Sequence, residues 1–122
     1  MKKTVVRKTK EFAPGNCPVV YCMNIIGGKW KPSILHMIRT DRNRYSILLK
    51  NITEISKQTL TNQLRELETD GIIERIIFPE IPPRVEYTIT EFGKTLLPII
   101  DSMYQWGIQN MKPGSNGYCN EK

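Results

Sequence analysis

Between residues 17 and 69 the apolar side chains recur at helical spacing, and beyond residue 72 the rhythm changes twice. Pro14-Gly15-Asn16 marks a turn, and Asn16 is placed to cap a helix beginning near Cys17, with Pro18 in the first turn where its missing N–H costs nothing. Val19, Met23 and Ile26 form its apolar side, and Gly27-Gly28 ends it. A second helix is predicted from about Lys29 to Arg39, with Pro32 tolerated in the first turn and Trp30, Ile34, Leu35 and Ile38 on one face. His36 lies within that pattern and reads as a packing residue. After the polar turn at 40–44, Tyr45 is expected to begin a short strand and Ser46 to cap a brief helix through Ile52.

Thr53-Glu54-Ile55 is a tight connection, after which Ser56 caps a helix running to about Thr69. Leu60, Leu64 and Leu67 at i, i+4 and i+7 give it a clean apolar stripe, and Gly71 closes it. The opposite face carries Lys57, Gln58, Thr61, Asn62 and Arg65. Residues 72–78 and 84–89 then turn to β-branched and aromatic composition, separated by Pro79, Pro82 and Pro83, which are excluded from a central strand; a hairpin with a stiff tip follows. Thr90 is expected to cap a last helix reaching about Asn110, inside which Pro98 reads as a breaker. That helix has two apolar stripes, Phe92, Leu96, Ile99 and Met103 on one and Leu97, Ile100, Tyr104 and Ile108 on the other. Two stripes exceed what one small core covers, and the surplus points to a subunit interface.

At 122 residues the chain holds one domain, read here as 14–110, with a basic arm at 1–13 and a tail at 111–122. No apolar run approaches the roughly 20 residues of a membrane span, and the basic N-terminus is not followed by the apolar stretch of a signal peptide, so a cytoplasmic location is expected. Charge adds more than length does. Residues 1–28 and 29–65 are basic, at +4 and +6, whereas 66–122 stand at −4. One basic half beside one acidic half fits a surface made for a polyanion.

Helix, short connection, capped helix and hairpin follow one another in winged helix-turn-helix order. A helix fits the major groove of B-DNA with its outward side chains at the base edges. Gln58 and Asn62 carry the amide geometry that reads adenine, Arg65 and Lys57 suit guanine or phosphate, Ser56 and Thr61 suit phosphate or a base, and Arg84 beside the proline tip suits a minor groove or the backbone. The competing reading is an ordinary solvated helix beside an exposed hairpin. One histidine and three cysteines (Cys17, Cys22 and Cys119) offer no zinc-ligand spacing and no disulfide framework, and there is neither a nucleophile–base motif nor a phosphate-cradling loop. No cofactor, metal or catalytic residue is expected.

These residues also resemble those of the HxlR-type family of MarR-like winged helix-turn-helix regulators. The likeness is carried by Cys17-Pro18, by residues 25–30 (IIGGKW), by Ile55-Ser56, by 60–75 (LTNQLRELETDGIIER), by 79–87 (PEIPPRVEY), and by Leu97-Pro98 and Trp106-Gly107. It spans about residues 17–107 in matching order. The resemblance implies an α+β, mostly helical winged helix-turn-helix fold with a two-stranded hairpin as wing, dimerising through its N- and C-terminal helices. It implies a homodimer on double-stranded DNA, with residues 56–65 in the recognition helix, Arg84 in the wing, a last helix kinked rather than broken at Pro98, and no enzymatic activity.

Cys17 falls at the position of a family cysteine that in some members senses oxidants or electrophiles. A helix N-terminus offers partial positive charge and free N–H groups, which favour a reactive thiolate. Cys22, five residues on, would face another side of the helix, so a bond between subunits is easier than one between these two thiols. Two further readings stay open. One is a small-molecule-responsive regulator with a pocket near the dimer helices lined by Tyr21, Trp30, Tyr104 and Trp106. The other is a winged-helix protein-interaction module that does not bind DNA.

Overall fold

The computed structural model describes residues 16–112. The basic arm expected at 1–13 lies outside the described residues, as do Cys119 and all but the first two positions of the expected tail. Six helices and two strands follow in the order α1 (Pro18–Ile26), α2 (Lys31–Arg39), α3 (Tyr45–Asn51), α4 (Lys57–Thr69), β1 (Ile73–Phe78), β2 (Arg84–Ile89), α5 (Glu91–Lys94) and α6 (Leu97–Asn110).

The amphipathic patterns of α2, α3 and α4 found their core, whereas of the apolar side expected for α1 only Ile26 is buried and Val19 and Met23 stay exposed, because no other described element covers that side of the helix. Ile34, Leu35 and Ile38 of α2, Leu48 of α3 and Leu60, Leu64 and Leu67 of α4 are all at most 4% exposed and meet Ile26, Ile72 and Ile73 in one cluster. Burying a side chain of this size contributes about 1.5–3 kcal/mol. Trp30 and Cys22 pack against the edge of that cluster. The first helix starts one residue later than expected. Cys17, not Asn16, is its N-cap, with extended backbone and no side-chain bond.

Helices α3 and α4 are joined by a turn whose sharpest point is Glu54, at φ +70°. A side chain there is strained by roughly 1–2 kcal/mol, and Ile55 beside it is buried. Ser56 caps α4 as expected: its Oγ accepts the Thr59 N–H at 3.1 Å. At the other end Gly71, at φ +76°, lets the Gly71 N–H reach the Glu68 carbonyl and the Ile72 N–H reach the Leu67 carbonyl, a Schellman closure. That closure turns the chain directly into β1.

Strands β1 and β2 pair antiparallel from Ile73↔Ile89 to Phe78↔Arg84, leaving 79–83 as the tip. The strand expected at Tyr45 is displaced by one residue and is a single bridge, Arg44↔Glu86. Beside it Asn43 Nδ2 donates to the Tyr87 carbonyl at 2.8 Å, and the Tyr87 N–H returns to the Asn43 carbonyl at 3.0 Å. The turn before α3 is thereby fastened to the hairpin, and Tyr45 is left to open α3, so Ser46 lies inside that helix rather than capping it.

The last helix is two helices, not one kinked helix. Thr90 caps α5, its Oγ1 accepting the Gly93 N–H at 2.8 Å. Thr95 and Leu96 then form a tight turn, their N–H groups bonded to the Phe92 and Gly93 carbonyls. Pro98 has no N–H to offer the Lys94 carbonyl and sits in the first turn of α6, where none is needed. Of the two stripes, Ile100 is buried and Tyr104 stacks on His36 of α2, with centroids 6.1 Å apart and rings 8° from parallel. Phe92, Ile99 and Met103 of the other stripe remain in solvent.

Candidate nucleic-acid interface

The buried leucine stripe fixes the roll of α4 and so decides which side chains face outward. Lys57, Gln58, Asn62 and Arg65 are all exposed. None of these four side chains makes a hydrogen bond or ion pair with another described residue. The acids of the same helix are held back against the body: Glu66 Oε1 lies 2.6 Å from the Nζ of buried Lys31, and Glu68 lies 3.7 Å from Arg75. The outward face of α4 therefore presents two free cations and two free amides, with its own carboxylates engaged elsewhere.

Ser56 and Thr61 are differently placed. The Ser56 hydroxyl both caps α4 and donates to Thr59 Oγ1 at 3.0 Å. Thr61 Oγ1 lies 3.0 Å from the Tyr45 hydroxyl, which also reaches the Lys57 carbonyl at 3.4 Å. The Ser56 hydroxyl is thus engaged in the first turn of α4, and the Thr61 hydroxyl at the joint between α3 and α4, before any ligand arrives. Tyr45 is a site residue that the pattern concealed, because its role depends on α3 crossing α4. Lys31 is another: a lysine in the first turn of a helix reads as solvated until its neighbour Glu66 is known.

Arg84 stands at the start of β2, away from α4 in sequence and already occupied. Its guanidinium lies 4.0 Å from the Phe78 ring centroid, Nη1 is 3.1 Å from Glu80 Oε2, and Nε is 3.2 Å from Glu86 Oε2 but out of line for a hydrogen bond. Glu86 also lies 4.0 Å from Arg44. Cys17 and Cys22 are both free thiols and both half-buried, Cys17 at the N-cap of α1 and Cys22 against the core.

The four aromatic residues considered as a pocket have different surroundings. Tyr21 is 63% and Trp106 69% exposed, Trp30 lies under Lys29 Nζ at 4.8 Å, and Tyr104 stacks on His36. Of the four, Trp106 alone borders the open groove along α6, with Asp101, Ser102, Gln105 and Gln109. Among the described residues no helix is long and apolar enough to cross a membrane.

Residues 25–115 match the model of the HxlR-like helix-turn-helix family. An uncharacterized HTH-type transcriptional regulator of Methanothermobacter thermautotrophicus is 45% identical over 91 residues, covering 75% of this chain and 70% of that protein. Among solved structures, the redox regulator HypR in its oxidized form superposes with a TM-score of 0.75 at 42% identity, covering 79% of this chain and 99% of that one. Diamide-treated YodB from Bacillus subtilis gives 0.64 at 33% identity, covering 80% and 97%. The hairpin is thus the wing of a winged helix-turn-helix, and the chain belongs to the HxlR-like helix-turn-helix family: it is a transcriptional regulator of the helix-turn-helix type and not an enzyme.

Proposed function

We propose that this regulator is a cytoplasmic homodimer that binds a near-palindromic DNA operator in a sequence-specific way, with α4 in the major groove and the wing against the adjoining backbone or minor groove. The observation that carries the reading is the outward face of α4, where Lys57, Gln58, Asn62 and Arg65 are exposed and uncommitted while Leu60, Leu64 and Leu67 anchor the helix from behind. Two copies related by a two-fold axis would address half-sites about one helical turn, roughly 34–36 Å, apart. The exposed apolar side chains Val19, Tyr21 and Met23 of α1 and Ile99, Met103 and Trp106 of α6 supply the material for the dimer contact.

An oxidant is the effector favoured by similarity, because HypR is a redox regulator and YodB was solved after diamide treatment. Cys17 is the residue to which that role falls here: its thiol is free, half-buried and at the start of a helix implicated in dimerisation. A bond from Cys17 to the partner subunit would re-set the spacing of the two α4 helices.

The test is fluorescence anisotropy on operator and random duplexes across a salt series, with and without a thiol oxidant. Tight, selective binding that weakens steeply with salt is expected. Arg65→Ala or Asn62→Ala should reduce discrimination between operator and random DNA by about 1–3 kcal/mol. Unchanged discrimination would remove both residues from base reading. Oxidation should release the DNA in the wild type and leave Cys17→Ser bound; release from the variant as well would place the sensor elsewhere.

A further inference from the structure

The wing contains an acid where a DNA contact needs a base. Glu80 is the one charged residue of the tip at 79–83, set between Pro79 and the Ile81-Pro82-Pro83 run, and its N–H is tied to the Phe78 carbonyl at 2.7 Å. Its carboxylate lies 3.1 Å from Arg84 Nη1. Arg84 is held by two further contacts, the Phe78 ring beneath it and Glu86 beside it. Glu86 has a second cation within reach in Arg44 and a side chain only 25% exposed, whereas Glu80 is 47% exposed and, among the described residues, has Arg84 alone. The two carboxylates thus differ in how easily they leave.

We propose that Glu80 is a displaceable counter-ion on Arg84, which a DNA phosphate must replace before the wing engages, so that Glu80 sets how weakly the protein holds non-cognate duplex. The proposal rests on the reading of the wing as a DNA contact. Counting Arg44, Arg84, Glu80 and Glu86, the wing base carries no net charge while the pair is closed and gains one positive charge when Glu80 is neutralised. Phe78 and Glu86 keep the guanidinium in place in either state, so the arginine stays oriented for a phosphate when Glu80 swings out. Phosphate and carboxylate compete for the same N–H groups.

Glu80→Gln preserves the shape of the side chain and removes its charge. It should tighten binding to a mixed-sequence duplex of about three helical turns by about 3- to 5-fold at low salt, the size of a surface ion pair. The gain should shrink as salt rises and screens the pair. The same change should have little effect when made in Arg84→Met, which keeps an apolar stem against Phe78 but offers no cation. Thermal melts of all four proteins establish that each is folded. An equal gain in both backgrounds would overturn the counter-ion role and reduce Glu80 to a negative charge repelling DNA at large; no gain in the wild-type background would overturn it too. If the wild-type protein shows no salt-dependent duplex binding, the DNA reading itself fails and the counter-ion role with it, a result distinct from additive effects in a protein that binds.

Discussion

Helices α4 and α6 are of similar length, 13 and 14 residues, yet they finish with opposite surpluses. In α4 the apolar stripe is consumed, with Leu60 and Leu67 at 0% and Leu64 at 2% exposure, and the side chains of Lys57, Gln58, Asn62 and Arg65 that face outward are polar and, among the described residues, unpaired. In α6 the side-chain contacts run to α2: Asp101 accepts from Arg39 at 2.6 Å and Tyr104 stacks on His36, while Ile99, Met103 and Trp106 stay 43%, 40% and 69% exposed. A helix whose leftover surface is cationic and amidic suits a polyanion with readable edges. A helix whose leftover surface is apolar suits another protein surface, and a second copy of the chain offers the matching one. On the proposed reading the two helices serve two partners, and they do so from one core.

The comparison is broken most severely by removing the platform under α4. Leu64→Ala should cost about 2–5 kcal/mol and lower the Tm by roughly 10–20 °C, from the lost methylenes and the cavity they leave. A melt within a few degrees of wild type would mean that the leucine stripe does not hold the helix. The next effect separates the two helices. Met103→Asp, at an exposed position of α6, should leave folding within about 0.5 kcal/mol of wild type and weaken self-association by at least about 2 kcal/mol, roughly 30-fold, because the dimer would bury an unpaired carboxylate. Sedimentation at matched concentrations reads this directly, and an unchanged dimer would take α6 out of the interface.

The smallest effect sharpens the inward face of α6. His36 has a pKa below its ordinary value, first because burial disfavours the charged ring and then because Arg42 and Arg39 repel it, against a weaker pull from Asp101. Its Nε2 is buried and has no hydrogen-bond partner among the described residues. The unfolded chain takes up this proton before the folded one as pH falls. Stability is thus complete above about pH 6.5, declines below it and levels off once the folded ring is protonated too. Because His36 is the single histidine of the chain, urea midpoints between about pH 5 and 7 isolate it, and His36→Phe should flatten that slope. An equally steep slope in the variant would assign the effect to other groups.

Much of this was legible without coordinates where one short-range rule acts alone. Ser56 and Thr90 cap because a hydroxyl three residues before an N–H accepts it locally. Gly71 closes α4 because a left-handed residue is needed there. The errors occur where two rules compete or a distant partner intervenes. Pro98 permitted either a kink or a break, and the tight turn at Thr95-Leu96 made the break. Tyr45 looked like a strand residue, but the strand bonds were taken by Asn43 and Arg44, which face β2 some 40 residues away. In the candidate site, the exposed places of Lys57, Gln58, Asn62 and Arg65 follow from the stripe opposite them. The prior engagements of Thr61 and Arg84 with Tyr45 and Glu80 do not.

By itself, the sequence determined the order of the main helices and the hairpin, the winged helix-turn-helix plan and which face of α4 turns outward, since periodicity and capping are properties of neighbouring residues. Only the tertiary structure decided which polar groups stay free. The hydrogen bonds and ion pairs that engage Thr61, Glu66 and Arg84 join residues from 2 to 35 positions apart, and the longer of these distances, to Tyr45 and Lys31, close only once the core has set the helices against one another.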